Sequence, residues 1–430
     1  MAKNANNKVS IWQSLHNAWK VQDIRKKLIY TFLMLILFRL VGVIPAPGVD
    51  YVRVKSAMSG SNLPLLDLVN MMTGSNFSNM TIMAMGITPY INSSIIMQLL
   101  TIAIPALERL SKSGPEGQKK IASITRYMTV VLAVIQAIGL VYSLGYIKSG
   151  WFNTVLVGVS MAAGTALAMW IGERITKNGL GNGVSLLIFA GIISNLFNGF
   201  TSLIANAVSA TSLTPWLTLL AVLLFALVMI VVVTFVDMGV RRIQVQYAKR
   251  VTGRKMYGGQ SSVLPLKVCS VGVMPLIFAY SFMAFPSTLI QLFGGSESGL
   301  GLWWSRYMNY YSPLYMIVTA LLIIAFTYFY TSISFQPDEM AKNIQQQGGV
   351  IPHVRPGKPT ADFLARTNNR LTLFAALFLA VLATLPNLFT VGLQTSVPFA
   401  ASSLLIAVSV VLETKRQLDD LLVSRNYDTL

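Results

Sequence analysis

Two segments of the chain carry clusters of basic residues that are typical of an anion-binding surface. The first segment, residues 237–267, contains Arg241, Arg242, Lys249, Arg250, Arg254, Lys255 and Lys267. The second segment, residues 336–370, contains Arg355 within the run HVRPG. Guanidinium and ammonium groups at this density attract phosphates and carboxylates, so we expect a docking surface for an acidic or nucleic-acid partner.

The first basic segment also has a pattern of local structure. Apolar and polar residues alternate through RRIQVQYAK, residues 241–249, which predicts a β-like arm projecting from the membrane. The alternative is a pair of basic loops that only enforce membrane topology and contact anionic lipid. Topology needs a few charges near helix ends, and long loops are usually functional or disordered, so docking is favoured.

The sequence has no pattern for covalent catalysis or nucleotide hydrolysis. It contains no HExxH, GxSxG or GxxxxGK[ST] motif, and the glycine-rich run KNGLGNGVS, residues 177–185, lacks a phosphate-binding lysine. A tight turn with Asn182 near the start of a helix explains that run. Cys269 is the single cysteine, so neither a disulfide nor a cysteine metal site is expected. We therefore predict a protein that is not an enzyme and binds no cofactor or metal ion.

A strongly apolar chain must position these basic segments. Of its 430 residues, 54% are hydrophobic and 11% are charged, which excludes an ordinary soluble domain. Uncharged runs of membrane-spanning length recur, and one covers the 22 residues from Pro215 to Val236. Ten membrane spans are predicted, at residues 27–47, 82–104, 124–146, 152–172, 184–206, 215–236, 268–293, 312–333, 371–391 and 396–413. In the fourth span, Ser160, Gly164, Ala168 and Gly172 form a ridge that permits close packing of helices.

The distribution of basic residues orients the predicted spans with both chain ends in the cytoplasm. Of the 33 Lys and Arg, four then face outward and one lies within the first span, which leaves 28 on the cytoplasmic side. Two sets of five spans must enter the membrane from opposite faces, so a duplication would give an inverted repeat with a path between its halves. The predicted regions are a cytoplasmic segment (1–26), a first half (27–206), a second half (207–413) and a cytoplasmic tail (414–430).

Ionisable groups near the membrane midplane are the usual sign of an ion-coupled transporter. The predicted spans offer Arg39, about 18 Å along its helix from Lys27. An arginine at that depth either snorkels outward or binds backbone carbonyls at a helix end. A secondary transporter of a small solute is the alternative function, favoured by a possible inverted repeat and opposed by the scarcity of midplane charge.

Residues 64–100 are the least regular of the apolar segments. The first half includes Asp67 and Asn70, and a helix over its first ten residues would rise about 15 Å, half of a bilayer core. The second half has the composition of a membrane helix interrupted by Gly86 and Pro89. A short polar helix within a membrane must be buried in protein or line a water-filled cavity.

Six motifs, in order along the chain, resemble those of the SecY family of protein-translocation channels. They are MAMGITPYINSSIIMQLL, GLGNGVSLLIFAGI, RRIQVQYAKR, SSVLPLKV, FYTSISFQPDEMAKNIQQQGGVIPHVRPGKPT and VPFAASSLLI, and the match extends over about residues 27 to 413. The resemblance implies an all-α membrane protein of ten transmembrane helices in two inverted pseudo-symmetric halves of five, with a re-entrant plug helix.

The resemblance assigns roles to individual residues. The plug, which closes the channel from the outer side, maps to residues 65–79, including Leu65, Asp67, Leu68, Asn70, Met71, Met72 and Gly74. The apolar ring at the pore constriction maps to Ile87, Ile91, Ile188, Ile277 and Ile406. The lateral gate, through which apolar segments leave into lipid, maps to Asn92 and Gln136, with Cys269 where relatives often carry asparagine. A thiol is a weak hydrogen-bond donor, so the closed gate is expected to be looser than usual.

The resemblance also implies a function and a set of partners. The chain would conduct unfolded secretory precursors across the bacterial cytoplasmic membrane and release apolar segments laterally into lipid. Small SecE-type and SecG-type subunits would brace it, and the motor ATPase SecA or the ribosome would supply the energy. The matching positions place Lys249, Arg250, Arg254 and Lys255 near ribosomal RNA and make Arg355 the arginine needed with SecA.

Overall fold

The computed structural model describes residues 19–49, 76, 79–144, 151–209, 214–247, 250–252, 255–257, 261–269, 272, 274–293, 299–308, 312–393 and 401–428. The helices are α1 (Gln22–Val41), α2 (Thr88–Ala103), α3 (Pro105–Lys112), α4 (Pro115–Leu144), α5 (Trp151–Asn178), α6 (Gly183–Ser209), α7 (Thr214–Asp237), α8 (Met274–Phe293), α9 (Gly299–Tyr307), α10 (Pro313–Ser334), α11 (Pro337–Gln346), α12 (Lys358–Leu393) and α13 (Ala401–Asp428). The strands are β1 (Val240–Tyr247), β2 (Arg250–Thr252), β3 (Lys255–Tyr257), β4 (Ser261–Lys267) and β5 (Gly349–Val350).

Each of the ten predicted spans overlaps one helix, namely α1, α2, α4 to α8, α10, α12 or α13. Within the described ranges, six helical segments are long and apolar enough to cross a membrane, and the bent pair α2–α3 is a seventh candidate. Several helices extend beyond their predicted spans. Helix α12 begins at Lys358 rather than 371, because Leu364 in its first turns packs into a small apolar core that the apolar runs of the sequence do not indicate.

The described chain clusters into two compact units. The first contains Met1–Thr211, Ala284–Asn309 and Ile406–Leu430, and the second contains Ser212–Met283 and Tyr310–Leu405. The units differ from the predicted halves, since two late segments cluster with the first unit. An inverted repeat of two halves therefore stays a prediction.

The first unit is packed around the small-residue ridge on α5. A Cβ built on Gly164 would lie 2.1 Å from the carbonyl oxygen of Ile82. A Cβ built on Gly183, the first residue of α6, would lie 1.9 Å from the carbonyl oxygen of Gly172. The predicted ridge is thus confirmed as a packing surface. Because its residues are small, α6 and the non-helical segment that contains Ile82 both approach the backbone of α5 closely.

That non-helical segment, residues 79–87, runs in turns before α2 begins. The prediction of a membrane helix interrupted by Gly86 and Pro89 is wrong in this respect. Gly86 has a φ of 53°, a left-handed conformation that favours glycine. Pro89 lies in the first turn of α2, where its missing N–H costs no helical hydrogen bond.

Backbone hydrogen bonds join the non-helical segment to the chain that follows α1. The N–H of Ala46 donates to the carbonyl of Met80 (3.1 Å), and the N–H of Ile82 donates to the carbonyl of Ile44 (3.0 Å). Met80 and Met83 are completely buried. Backbone without helical hydrogen bonds is tolerated within a membrane only where protein satisfies and covers it, and both conditions hold here.

Three segments of the first unit that are distant in sequence pack together near the start of α1. Ile24 of α1, Leu180 of the α5–α6 turn and Leu418 of α13 form one buried cluster. Because α13 continues to Asp428, the tail that the sequence places after residue 413 begins as helix and contributes to this core.

In the second unit, α7 buries a single stripe of Val222, Ala226, Met229 and Val233. Its other leucines and valines are largely exposed, as expected for a helix surrounded by lipid. The rings of Phe225 on α7 and Phe389 on α12 stack with their centroids 4.2 Å apart. The second unit thus holds membrane helices together with all five strands.

We predict that Gly164→Ala destabilises the first unit, because the new methyl group would overlap the carbonyl oxygen of Ile82. The expected loss is about 1–3 kcal/mol, measured as a lower melting temperature and a lower yield of the purified protein. Gly299→Ala is the matched control, since a Cβ at that exposed position meets nothing within 4 Å. Equal stability of the two variants would contradict the packing described here.

Candidate functional site

The two predicted basic loops meet in one three-stranded sheet. Strand β1 lies in the centre and pairs antiparallel with β4, from Val240 opposite Lys267 to Gln246 opposite Ser261. Its other edge pairs with β5, which belongs to the second loop. The β-like arm predicted from RRIQVQYAK is confirmed as β1, and the hairpin of β2 and β3 lies between β1 and β4 along the chain.

A small apolar core holds this sheet against two helices. Its buried residues are Ile243, Val245, Leu266, Ile344, Ile351 and Leu364. They come from β1, β4, α11, the chain after β5 and the start of α12, so both loops contribute to it. We name the assembly of β1, β4, β5, α11 and the first turns of α12 the platform.

Gly349 lies where the two loops of the platform approach each other closely. A Cβ built on Gly349 would lie 3.0 Å from side-chain atoms of Ile344, Tyr247 and Val245. Gly349 pairs with Tyr247 in the ladder between β5 and β1. A side chain at this position would push these neighbours apart by a few tenths of an ångström, so the close approach of the two loops favours glycine.

The platform presents Arg355 on a short, well-fixed loop. Ile351 is buried in the platform core, and the N–H of Val354 donates to its carbonyl at 3.1 Å. The carbonyl of Arg355 itself accepts a hydrogen bond from Oγ1 of Thr360 at 2.8 Å. His353 is exposed and has a φ of 65°, which turns the chain sharply within this loop. The Arg355 side chain is exposed, so its guanidinium is available to an acidic partner.

The structure places some predicted docking residues and leaves others undescribed. Arg241 and Arg242 are exposed on β1, so the platform carries them together with Arg355. Arg250 lies in β2 and Lys255 in β3, and the structure describes these strands but not their side chains. Lys249 and Arg254 fall outside the described residues.

Sequence reasoning missed four further exposed cations of the platform. They are Lys342 on α11 and Lys358, Arg366 and Arg370 on α12. The helical period of α12 is the sequence signal for the three on that helix. Every fourth residue is buried, at Thr360, Leu364, Asn368 and Thr372. A helix with that stripe exposes the intervening charged residues.

The predicted pore residues are distributed over both units. Ile87 precedes α2, Ile91 lies on α2, Ile188 on α6, Ile277 on α8 and Ile406 on α13. Ile87, Ile188 and Ile406 are buried, and the other two are half-buried. Their arrangement as a ring stays a prediction.

The predicted lateral gate falls on described helices in the first unit. Asn92 lies on α2, and its buried Oδ1 finds no hydrogen-bond donor in the part of the chain that the structure describes. Gln136 is half-buried on α4. Both residues thus lie on the helices expected for a gate, and their role in it stays a prediction.

The seven named plug residues lie outside the described residues. Asn76, near the end of the predicted plug segment, is buried, and its carbonyl accepts a hydrogen bond from the N–H of Thr81 at 3.1 Å. A Cβ built on Gly42 would lie 2.9 Å from its Oδ1, so the side chain of Asn76 packs against the end of α1. Asn76 is therefore in contact with the first unit.

The predicted position of Cys269 within the seventh span is wrong. The N–H of Val268 donates to the carbonyl of Gly239 at 3.0 Å, which extends the ladder between β1 and β4. Cys269 then lies in a turn, and the described part of α8 begins at Met274 with Pro275 in its first turn. An apolar run does not distinguish a strand end from a helix start. The assignment of Cys269 to the gate stays a prediction.

Comparison with known proteins gives one family. The family model of SecY matches residues 81–415. The protein translocase subunit SecY of Streptomyces scabiei is 41% identical, over 96% of this chain and 98% of the relative. That of Halalkalibacterium halodurans is 40% identical, over 97% of this chain and 99% of the relative.

Solved structures support the fold. A structure of a protein conducting channel is similar with a TM-score of 0.68 and 20% identity, covering 92% of each chain. Sec61 in the canine ribosome-channel complex is similar with a TM-score of 0.64 and 18% identity, again covering 92% of each chain. The fold of this chain is thus shared with these channels at low sequence identity.

We predict that Cys269 reacts slowly with alkylating reagents, because burial raises the pKa of its thiol to about 12 and the Asp237 carboxylate adds to the shift. The thiolate is the nucleophile, so alkylation at pH 8 should be at least about 100-fold slower in the folded protein than in denaturant. Iodoacetamide labelling followed by mass spectrometry reports this residue alone, since it is the single cysteine.

Asp237→Asn is the informative variant for this thiol, since removal of the carboxylate should lower the pKa and accelerate alkylation. A folded-state rate within tenfold of the denatured rate would contradict the burial of Cys269.

We predict that Gly349→Leu separates the two loops of the platform, because its side chain would overlap Ile344, Tyr247 and Val245. Amide hydrogen exchange at the one of Gln246 and Tyr247 whose N–H points to β5 should become at least about tenfold faster as that ladder opens. Val350→Leu is the matched control, because Val350 is 41% exposed. Unchanged exchange in Gly349→Leu would show that β5 does not depend on this contact.

Proposed function

The chain belongs to the SecY family, and we propose that it forms the protein-conducting channel of a Sec translocase. It is a multi-pass membrane protein, with apolar helices that fit a bilayer. The observation that carries the proposal is the match to SecY relatives at about 40% identity over nearly the whole chain. The same match favours a translocation channel over the transporter of a small solute, because the relatives are named as translocase subunits.

The substrate of this channel is an unfolded polypeptide. A narrow ring of aliphatic side chains at Ile87, Ile91, Ile188, Ile277 and Ile406 would exclude water and ions in the resting state. Such side chains form no fixed hydrogen bonds with a passing chain, so the seal is indifferent to the sequence that moves through it. The plug segment would close the same path from the outer side.

Apolar segments of the substrate leave sideways into lipid. Interhelical hydrogen bonds in membranes average only about 0.6 kcal/mol, so polar contacts at a gate are easily replaced by an entering apolar helix. Asn92 and Gln136 are the residues we assign to this gate. The buried Oδ1 of Asn92, which lacks a donor among the described residues, supports a position at a contact that changes.

The energy for transport comes from partners that dock on the platform. Its exposed cations fit the phosphates of ribosomal RNA and the carboxylates of a motor protein such as SecA. A rigid sheet suits this purpose, since each arginine on it is presented without a large loss of entropy on binding. We also assign SecE-type and SecG-type subunits to this channel, and the bacterial cytoplasmic membrane as its location with both chain ends inside.

We predict that Arg355→Glu slows motor-driven transport, because it replaces a docking cation on a fixed loop by a negative charge that repels an acidic partner. The assay uses vesicles that contain the full chain with SecE-type and SecG-type subunits, together with SecA, ATP and a secretory precursor. The rate at which the precursor becomes protease-protected should fall at least about tenfold.

Arg306→Glu is the matched control for this assay, since it makes the same charge change at an exposed residue outside the platform. Its rate should equal that of the unsubstituted chain. If the unsubstituted complex assembles and protects no precursor, the channel proposal is wrong. If both glutamate variants transport equally well, the docking role of Arg355 is wrong.

A further inference from the structure

Arg39 lies where α1 ends, in the last turn of that helix. The predicted first span continues to residue 47, but α1 stops at Val41, and hydrogen bonds from Gly42 and Val43 close its last turn. A cation at a helix C-terminus is favourable, because it opposes the negative end of the helix dipole. The charge is thus partly balanced by the helix that carries it.

The guanidinium of Arg39 binds a second helix. Its Nη2 donates to the carbonyl of Ala190 and lies 3.5 Å from the carbonyl oxygen of Gly191, both on α6. The prediction that Arg39 binds backbone carbonyls is confirmed, although these carbonyls lie within a helix and not at its end. A helical carbonyl has a second lone pair available, and Gly191 has no side chain to block the approach.

Polar contacts also fix the beginning of α6. The N–H of Leu180, in the turn before α6, donates to Oγ1 of Thr31 on α1 at 2.9 Å. Oδ1 of Asn182 accepts from the N–H of Val184 at 3.1 Å and caps the helix. The N–H of Gly183 donates to Oγ1 of Thr176 on α5 at 2.8 Å. The start of α6 is therefore tied to both α1 and α5.

Ile188 lies between these two sets of polar contacts. It follows Gly183, where the first set ends, and precedes Ala190, where Arg39 binds. Apolar contacts between membrane helices resist sliding and rotation weakly, whereas directional hydrogen bonds fix both. The height and rotation of α6 at Ile188 thus depend on a bond at each side.

We propose that Arg39 is a positioning residue of the pore, which holds α6 so that Ile188 takes its place in the resting seal. This inference rests on the proposed function, because Ile188 contributes to a seal only if the chain is a channel. Removal of the guanidinium leaves α6 tied only at its start, so the height and rotation of Ile188 are no longer held from the Ala190 side. The consequence is a seal that leaks while the fold persists.

The test measures the position of residue 188 directly. Cys269→Ser removes the one native thiol, and Ile188→Cys introduces a reporter at the ring. The full complex in vesicles is treated with a membrane-impermeant maleimide, and the rate of labelling is compared with and without Arg39→Gln. We expect at least a fivefold change in the labelling rate. In the chain with Ile188 intact, Arg39→Gln should also raise the resting ion leak.

Arg25→Gln is the matched control, because it removes the same charge from an exposed position on the same helix. It should change neither the labelling rate nor the leak. Arg39→Lys keeps the charge and at least one donor, so its labelling rate should lie closer to that of the unsubstituted chain. If the Arg39→Gln protein fails to assemble, the Arg39→Lys protein still provides a test. A labelling rate for Arg39→Lys that differs from that of the unsubstituted chain still supports the positioning role.

Ile188→Ser separates failure of this inference from failure of the proposed function. If Ile188→Ser leaks ions and Arg39→Gln changes neither labelling nor leak, the positioning role is overturned. If Ile188→Ser does not leak, the assignment of Ile188 to the seal fails, whatever Arg39 does. A lower melting temperature in Arg39→Gln without a change in labelling would show a merely structural arginine and would also overturn the proposal.

Discussion

The first unit depends on one constraint, which is that backbone polar groups within a bilayer must be satisfied by the protein itself. The described residues 42–49 after α1 and 79–87 before α2 are not helical, so chain without helical hydrogen bonds lies next to membrane helices. Hydrogen bonds between residues 44–46 and 80–82 satisfy part of it, and the glycine ridge of α5 covers it. A simple bundle of spanning helices would not need this arrangement. A channel with a movable closure needs such non-helical segments, because short non-helical segments change conformation more readily than long helices.

In the second unit, strands from two separate loops satisfy one another's backbone groups. Strands β1 and β4 leave α7 and return toward α8, while β5 comes from a different loop and joins them through Gly349. A core with Leu364 at its centre then fixes the sheet on α12. A partner that presses on the platform therefore acts on a body continuous with a membrane helix.

Features with a local signal in the sequence were predictable. Long uncharged runs predicted each spanning helix, the alternation in residues 241–249 predicted β1, and the glycine-rich run predicted the turn before α6. Features set by tertiary contact were not. The two residues of β5 have no pattern of their own, and the early end of α1 follows from contacts with residues 80–82 that lie far along the chain. Cys269 was misplaced because apolar residues continue from the end of β4 into α8, and only the strand ladder marks where the membrane helix starts.

The most direct test of a polypeptide-conducting channel is a cross-link between the pore and a substrate halted in transit. Ile188→Cys in a Cys269→Ser chain would be paired with a precursor that carries one cysteine and is blocked by a folded domain at its end. The account predicts a disulfide between position 188 and the halted precursor, and none from Leu227→Cys, whose position on α7 is 60% exposed on the lipid-facing surface. Halted, protease-protected precursor that cross-links at position 227 and never at position 188 would contradict a path through the proposed ring.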